Sequence, residues 1–213
     1  MKKEDLPSEI AIFPLSNFII FPQTNVPLNI FEPRYIQMID DAMKGNRMIG
    51  IIQPKKSGDL KKPDLYDVGC AGKITSFNET EDGRYLIVLN GICRFKIISE
   101  EKNDKIYRIC NINFTEYLED LNKKKEDINF TDLKFIFKEL KSFFKKQGYL
   151  INLDEINKRN LDHAINTISM VSPFSLEEKQ ILLESRNLKV RKEKLEEIIK
   201  IYTLDNFSNT TLQ

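Results

Sequence analysis

The sequence has no tryptophan, a single histidine and three cysteines among 213 residues. With only His163 there is no HxxxH pair, and no two cysteines form a CxxC, so the usual zinc spacings are missing. Cys70, Cys93 and Cys110 are odd in number, widely spaced and set in apolar runs. They read as buried reduced thiols, not as a disulfide framework. Charge of one sign is also scarce: 33 basic against 32 acidic residues leave +1. A protein that lives on nucleic acid or anionic lipid carries a basic excess or stripe. The lysines at Lys55-Lys56, Lys61-Lys62, Lys123 to Lys125 and Lys145-Lys146 all have acidic neighbours, and read as solvated loops and helix faces. No apolar run approaches the roughly 18 to 20 residues of a membrane helix. The start, MKKEDLPSEIAIFPLSNFIIFP, has a basic opening, but Glu4, Asp5 and Glu9 precede its apolar stretch and Pro14 interrupts it. No secretory leader is expected, and a cytoplasmic location is the expectation.

Catalytic motifs are missing in the same way. Gly69-Cys-Ala-Gly72-Lys73 has two residues between its glycines where a phosphate loop needs four, and Ile74 stands where Ser or Thr would hold magnesium. There is no GxSxG elbow. His163 lies in a helical pattern without a nameable nucleophile partner. Carboxylate pairs such as Asp40-Asp41 and Glu196-Glu197 read as solvated helix faces. No catalytic residue, cofactor or metal is expected.

What is present is divided unevenly. Every glycine except Gly148, and every proline except Pro173, lies before Asn103. The first part is turn-rich and strand-like, whereas the rest carries Lys, Glu and Leu at helical spacing. Strands are expected at Ile10–Leu15, Met48–Gln53, Val68–Phe77, Tyr85–Asn90, Cys93–Ser99 and Tyr107–Phe114. Asp82-Gly83 and Asn90-Gly91 are expected as tight hairpin turns joining three of them into a meander. One helix opens at Pro33, carries Tyr35, Met38, Ile39 and Ala42 on one face, and ends at Gly45. Strands with one inserted helix suggest a small, partly closed barrel. Glu116 to Asn129 reads as a charged linker. Leu133, Ile136, Phe137, Leu140, Phe143 and Phe144 then recur at helical spacing up to Gly148. A further helix runs from Asn160 to before Pro173, and Ser175 and Glu178 form a capping box for the next. The last spans Leu188 to Tyr202, and a polar tail frays from Asp205. The expected fold class is α+β. Residues 8–118 would form the barrel and 128–205 a helical bundle, with flexible termini at 1–7 and 206–213.

The most informative stretch is Phe13 to Tyr35, where prolines at 14, 22, 27 and 33 impose an extended path. Most of its apolar side chains read as core, with part of this surface left exposed beside the helix start for docking. Phe13-Pro-Leu, Phe21-Pro, Pro27-Leu and Phe31-Glu-Pro-Arg-Tyr35 resemble the opening of the Lon protease N-terminal, substrate-recognition domain. Leu65-Tyr-Asp-Val-Gly-Cys-Ala-Gly-Lys-Ile74 resembles that family's YxVG strand. Asp82-Gly-Arg-Tyr85 and Leu89-Asn-Gly-Ile-Cys-Arg-Phe95 are similar to its DG turn and GxxRF strand, all in the right order. Lys179-Gln-Ile-Leu-Leu-Glu184 resembles the helical part of stand-alone members.

The resemblance implies a PUA-like β-barrel followed by a helical bundle, and recognition of unfolded or tagged polypeptides. The ATPase and peptidase modules of the full protease have neither room nor residues in this sequence. The expectation is therefore a non-catalytic recognition module with an adaptor or holdase-like role, partnered by client polypeptides or a Lon-type protease. Phe31, Arg34 and Tyr35 are the expected peptide-binding residues: the aromatics cover an apolar side chain, and Arg34 takes a carbonyl or carboxylate. Core packing of Phe31 and Tyr35, and a salt bridge from Arg34 to Glu32 or a strand carboxylate, are the structural alternatives. RNA binding, as in other PUA-like barrels, is the functional one, and near-neutral charge and lack of tryptophan argue against it.

Overall fold

Eight strands and four helices account for most of the computed structural model, which describes residues 2–16, 18–59, 62–122, 138–141, 144–145 and 161–208. Backbone contacts divide the chain into two compact units, Met1–Lys123 and Lys124–Gln213. The first unit holds β1 (Glu9–Pro14), β2 (Asn25–Ile30), α1 (Pro33–Lys44), β3 (Met48–Ile52), β4 (Pro54–Asp59), β5 (Lys62–Leu65), β6 (Val68–Glu79), β7 (Tyr85–Glu100) and β8 (Arg108–Asn113). The main sheet has the order β2-β7-β6-β3-β1-β8, and β8 pairs again with β7. Five strands thus follow one another round a partial ring, with β2 appended outside it on β7. All these pairings are antiparallel except β1 with β3, whose parallel alignment is bridged by β2 and α1.

Alternation along the strands builds the core. Ile10 and Ile12 of β1, Ile74 of β6 and Ile87, Leu89 and Phe95 of β7 are all buried. Pro33 begins α1 as the pattern predicts, and Tyr35, Met38 and Ile39 form its buried stripe, while Ala42 is half-buried. Asp82-Gly83 makes the β6–β7 turn, with Gly83 at φ +77°.

Three expectations are corrected. Asn90-Gly91 is no hairpin: β7 runs through it without a break, as one sixteen-residue strand. Lys55-Lys56, read with the other lysine pairs as solvated loops and helix faces, lies instead within β4, and Lys62 opens its partner strand β5. Part of the charged segment read as linker is ordered as well, since Thr115–Leu121 forms a 3-10 helix. A single 3-10 turn also occupies Lys3–Asp5.

In the second unit, residues 138–141 and 144–145 are helical, with Leu140 and Phe144 buried. Leu133, Ile136, Phe137, Phe143 and Gly148, also assigned to that helix and its stop, lie outside the described residues. Then come α2 (Leu161–Val171), α3 (Leu176–Leu183) and α4 (Leu188–Ser208). The capping box forms as expected. Glu178 N–H donates to Ser175 Oγ at 3.1 Å, and Ser175 N–H donates to the Glu178 carboxylate at 2.7 Å. Arg191 of α4, fully buried, donates to the Leu182 carbonyl and to Asn166 Oδ1, tying α2 and α3 together. α4 continues past Asp205, where fraying was expected, to Ser208.

Candidate functional site

The corner between β2 and α1 is shaped by Pro33. A residue before proline is pushed to extended backbone, and Glu32 sits at φ −74°, ψ 131°. The Tyr35 and Ile36 N–H groups close the first turn on the Glu32 carbonyl at 2.9 and 3.0 Å. Phe31, one residue outside, is thrown onto the surface with 64% of its area exposed. Tyr35 points the other way: it is 5% exposed and packs on Phe13 with ring centroids 4.1 Å apart. Burial pushes the Tyr35 phenol above its ordinary pKa. Arg34 lies between these extremes. Its guanidinium is 4.5 Å from the Tyr35 ring centroid and is held there by Glu32 at 2.8 Å. Both side chains of that pair are close to half exposed, so the pair orients Arg34 more than it stabilises the fold.

Of the three residues singled out from sequence, Phe31 and Arg34 therefore meet solvent, whereas Tyr35 is packed in the core against Phe13, the alternative weighed for it, with its ring beneath the Arg34 guanidinium. The salt bridge to Glu32, weighed as the structural alternative for Arg34, is present. Leu86 was missed. It lies opposite Asn29 of β2 and Asn78 of β6, and is 44% exposed. Val88, half-buried, lies opposite Pro27. No alternation marks these two in the sequence, because Tyr85, Ile87 and Leu89 on the inner face are apolar as well.

The outer face of β2 and β7 thus carries Pro27, Leu86 and Val88, with Phe31 at its end. β2 pairs with β7 and with no other strand among the described residues. Its remaining edge can take a further extended chain, although Pro27 removes one donor.

All three thiols are buried, and burial raises the pKa of Cys93 and pushes Cys110 up to about 11. Gly69 to Lys73 is paired strand within β6, not a phosphate-cradling loop. His163 belongs to α2, with Nδ1 3.3 Å from Thr167 Oγ1. Among the described residues no group of three His, Cys, Asp or Glu could hold a metal ion. No described helix is long and apolar enough to cross a membrane.

A family model for the ATP-dependent protease La (LON) substrate-binding domain matches residues 9–200. The chain belongs to that family. The Lon protease of Flavobacterium johnsoniae is 27% identical over 197 residues, which are 90% of this chain and 24% of that protein. The Lon protease of Desulfosudis oleivorans is 28% identical over 200 residues, with the same two shares. The chain thus spans about a quarter of the length of these curated relatives. Among solved structures, a Lon N-terminal domain protein from Xanthomonas campestris aligns with a TM-score of 0.62 and 15% identity. It covers 91% of this chain and 98% of its own. The N-terminal domain of a Mycobacterium avium complex Lon protease gives 0.61 and 15%, covering 92% and 98%. The fold is therefore that of Lon N-terminal domains.

Proposed function

We propose that this LON-family domain is a non-catalytic module that binds polypeptides at the corner between β2 and α1. The exposure of Phe31 beside a strand edge that takes no partner among the described residues carries the reading. An extended polypeptide would pair its main chain with β2, an interaction that tolerates many sequences. Phe31 and Leu86 would cover one of its apolar side chains, at about 25 cal/mol per Å² before ordering costs. Arg34, already oriented by Glu32 and the Tyr35 ring, would take a carbonyl or carboxylate. The family description, a substrate-binding domain, supports the substrate class. The partial ring of strands is read here as a PUA-like barrel. The role is that of an adaptor or holdase in the cytoplasm, working on unfolded or tagged chains alone or beside a Lon-type protease.

The test is a titration of the whole chain with a permanently unfolded polypeptide and, in parallel, with single-stranded RNA at physiological salt. Saturable polypeptide binding is expected. Phe31→Ser should weaken it by roughly tenfold, a typical loss for an exposed anchor, with the unfolding midpoint unchanged. Equal binding by Phe31→Ser would remove the site. RNA binding with a steep salt slope and no polypeptide binding would replace the function.

A further inference from the structure

The 3-10 helix Thr115–Leu121 is held to the first unit in an unusual way. Tyr117 is its sole buried residue, and its two leucines, Leu118 and Leu121, are only half-buried. Its attachment centres on Arg94, 1% exposed, in β7. Asp120 accepts three hydrogen bonds from that one residue. The backbone N–H donates to Oδ2 at 3.0 Å, Nε to Oδ2 at 2.8 Å and Nη2 to Oδ1 at 2.8 Å. The side chains of the pair are 2% and 8% exposed. The guanidinium stacks over Tyr117, 4.3 Å from its centroid, and Cys93 Sγ donates to the Tyr117 carbonyl at 3.2 Å. Upstream, Phe114 is buried and packs edge-on against Phe95 at 6.3 Å. The segment therefore has a fixed apolar end at Phe114 and a charged fastening at Asp120.

We propose that Arg94 and Asp120 form a latch, and that Thr115–Leu121 opens and closes on it as a local unit while the sheet stays folded. Two physical points favour this. A segment with few buried apolar contacts belongs to the low-stability end of a fold, where local opening precedes global unfolding. A desolvated ion pair, in contrast, is strongly all-or-none, because breaking it leaves each charge uncompensated until the segment swings into water. The latch sits three residues before the end of the first unit at Lys123, so it controls where the chain leaves that unit. This inference is independent of what the β2 corner binds.

The experiment is hydrogen–deuterium exchange on the whole chain, wild type against Asp120→Asn. The variant keeps the shape of the side chain and removes its charge. Amides of 115–121 should exchange roughly 10- to 100-fold faster, the range for charge-assisted hydrogen bonds, with those of β6 and β7 unchanged. No acceleration would show the pair to be incidental. Equal acceleration in β6 and β7, or a variant that does not fold, would make it part of the global core and end the proposal. Wild type gives a second reading in low denaturant. Amides of 115–121 should exchange by a local route there, and exchange only through global unfolding would also overturn the latch.

Discussion

Asp41 shows how one half-buried carboxylate can tie a helix to distant chain. Lys105 Nζ and the Tyr107 hydroxyl each donate to its Oδ2 at 2.9 Å, and Lys44 lies 3.4 Å from Oδ1. The hydrogen bond from Lys105, followed by that from Tyr107, holds its pKa below the ordinary 3.8. A carboxyl depressed in the folded state adds stability that is fully present above its unfolded pKa. That stability is lost as pH falls from about 3.8 through the lower folded value. Wild type should therefore be more stable than Asp41→Asn at about pH 7, with the gap closing in acid. Denaturant midpoints at several pH values check this, and a constant gap would exclude the ionised carboxylate as its source. The two distant partners could not be named from sequence, because Lys105 and Tyr107 are 64 and 66 positions from Asp41. The Phe31–Tyr35 pair makes the same point at short range. Both are aromatics at the helix start, and Tyr35 is the buried one because its ring packs on Phe13, 22 positions earlier.

At the level of elements, Asn90-Gly91 is the instructive failure. The dipeptide is a strong local signal for a two-residue turn, but such a turn needs the flanking strands to pair with each other. Here Tyr85–Asn90 pairs with β2 and β6, and the continuation from Cys93 pairs with β6 and then β8. The strand therefore continues, bulging at Ile92 where Ala71 opposes Cys93 and Gly72 opposes Gly91. Gly91 is needed for a different reason: a Cβ there would lie 2.1 Å from the Phe21 carbonyl oxygen. The N–H of Gly91 donates to Thr24, and Gln23 donates to the Gly91 carbonyl, which locks that crossing. Gly91→Ala should cost at least about 2 kcal/mol, since backbone must move. Gly83→Ala meets no atom within 4 Å and should cost only the ~1–2 kcal/mol of positive φ. Urea unfolding of the two variants gives the order, and a larger loss at Gly83 would contradict the crossing as the cause. The elements whose signals are local, α1 with its proline and α3 with its capping box, form where the sequence places them.

For the molecule as a whole, the thiols report the integrity of the first unit. Cys70 and Cys93 are completely buried and Cys110 nearly so, and burial raises the pKa of both Cys93 and Cys110. An aromatic disulfide reagent at about pH 8 should find no fast-reacting thiol in the native protein, and three after denaturation. A single fast native thiol would show that β6, β7 or β8 is not packed as described. By itself the sequence determined what depends on near neighbours. That includes the strands β1, β3, β6 and β8, the proline-led helix, the Asp82-Gly83 turn, the capping box and the ordered blocks that mark a LON substrate-binding domain. Such features rest on backbone preference and side-chain spacing within a few residues. Tertiary structure decided the closure of β8 onto β7, the unbroken course of β7, the burial of Arg94 under Thr115–Leu121, and Phe31 outside with Tyr35 inside. Each of these depends on which distant segment removes a group from water, and no local pattern encodes that.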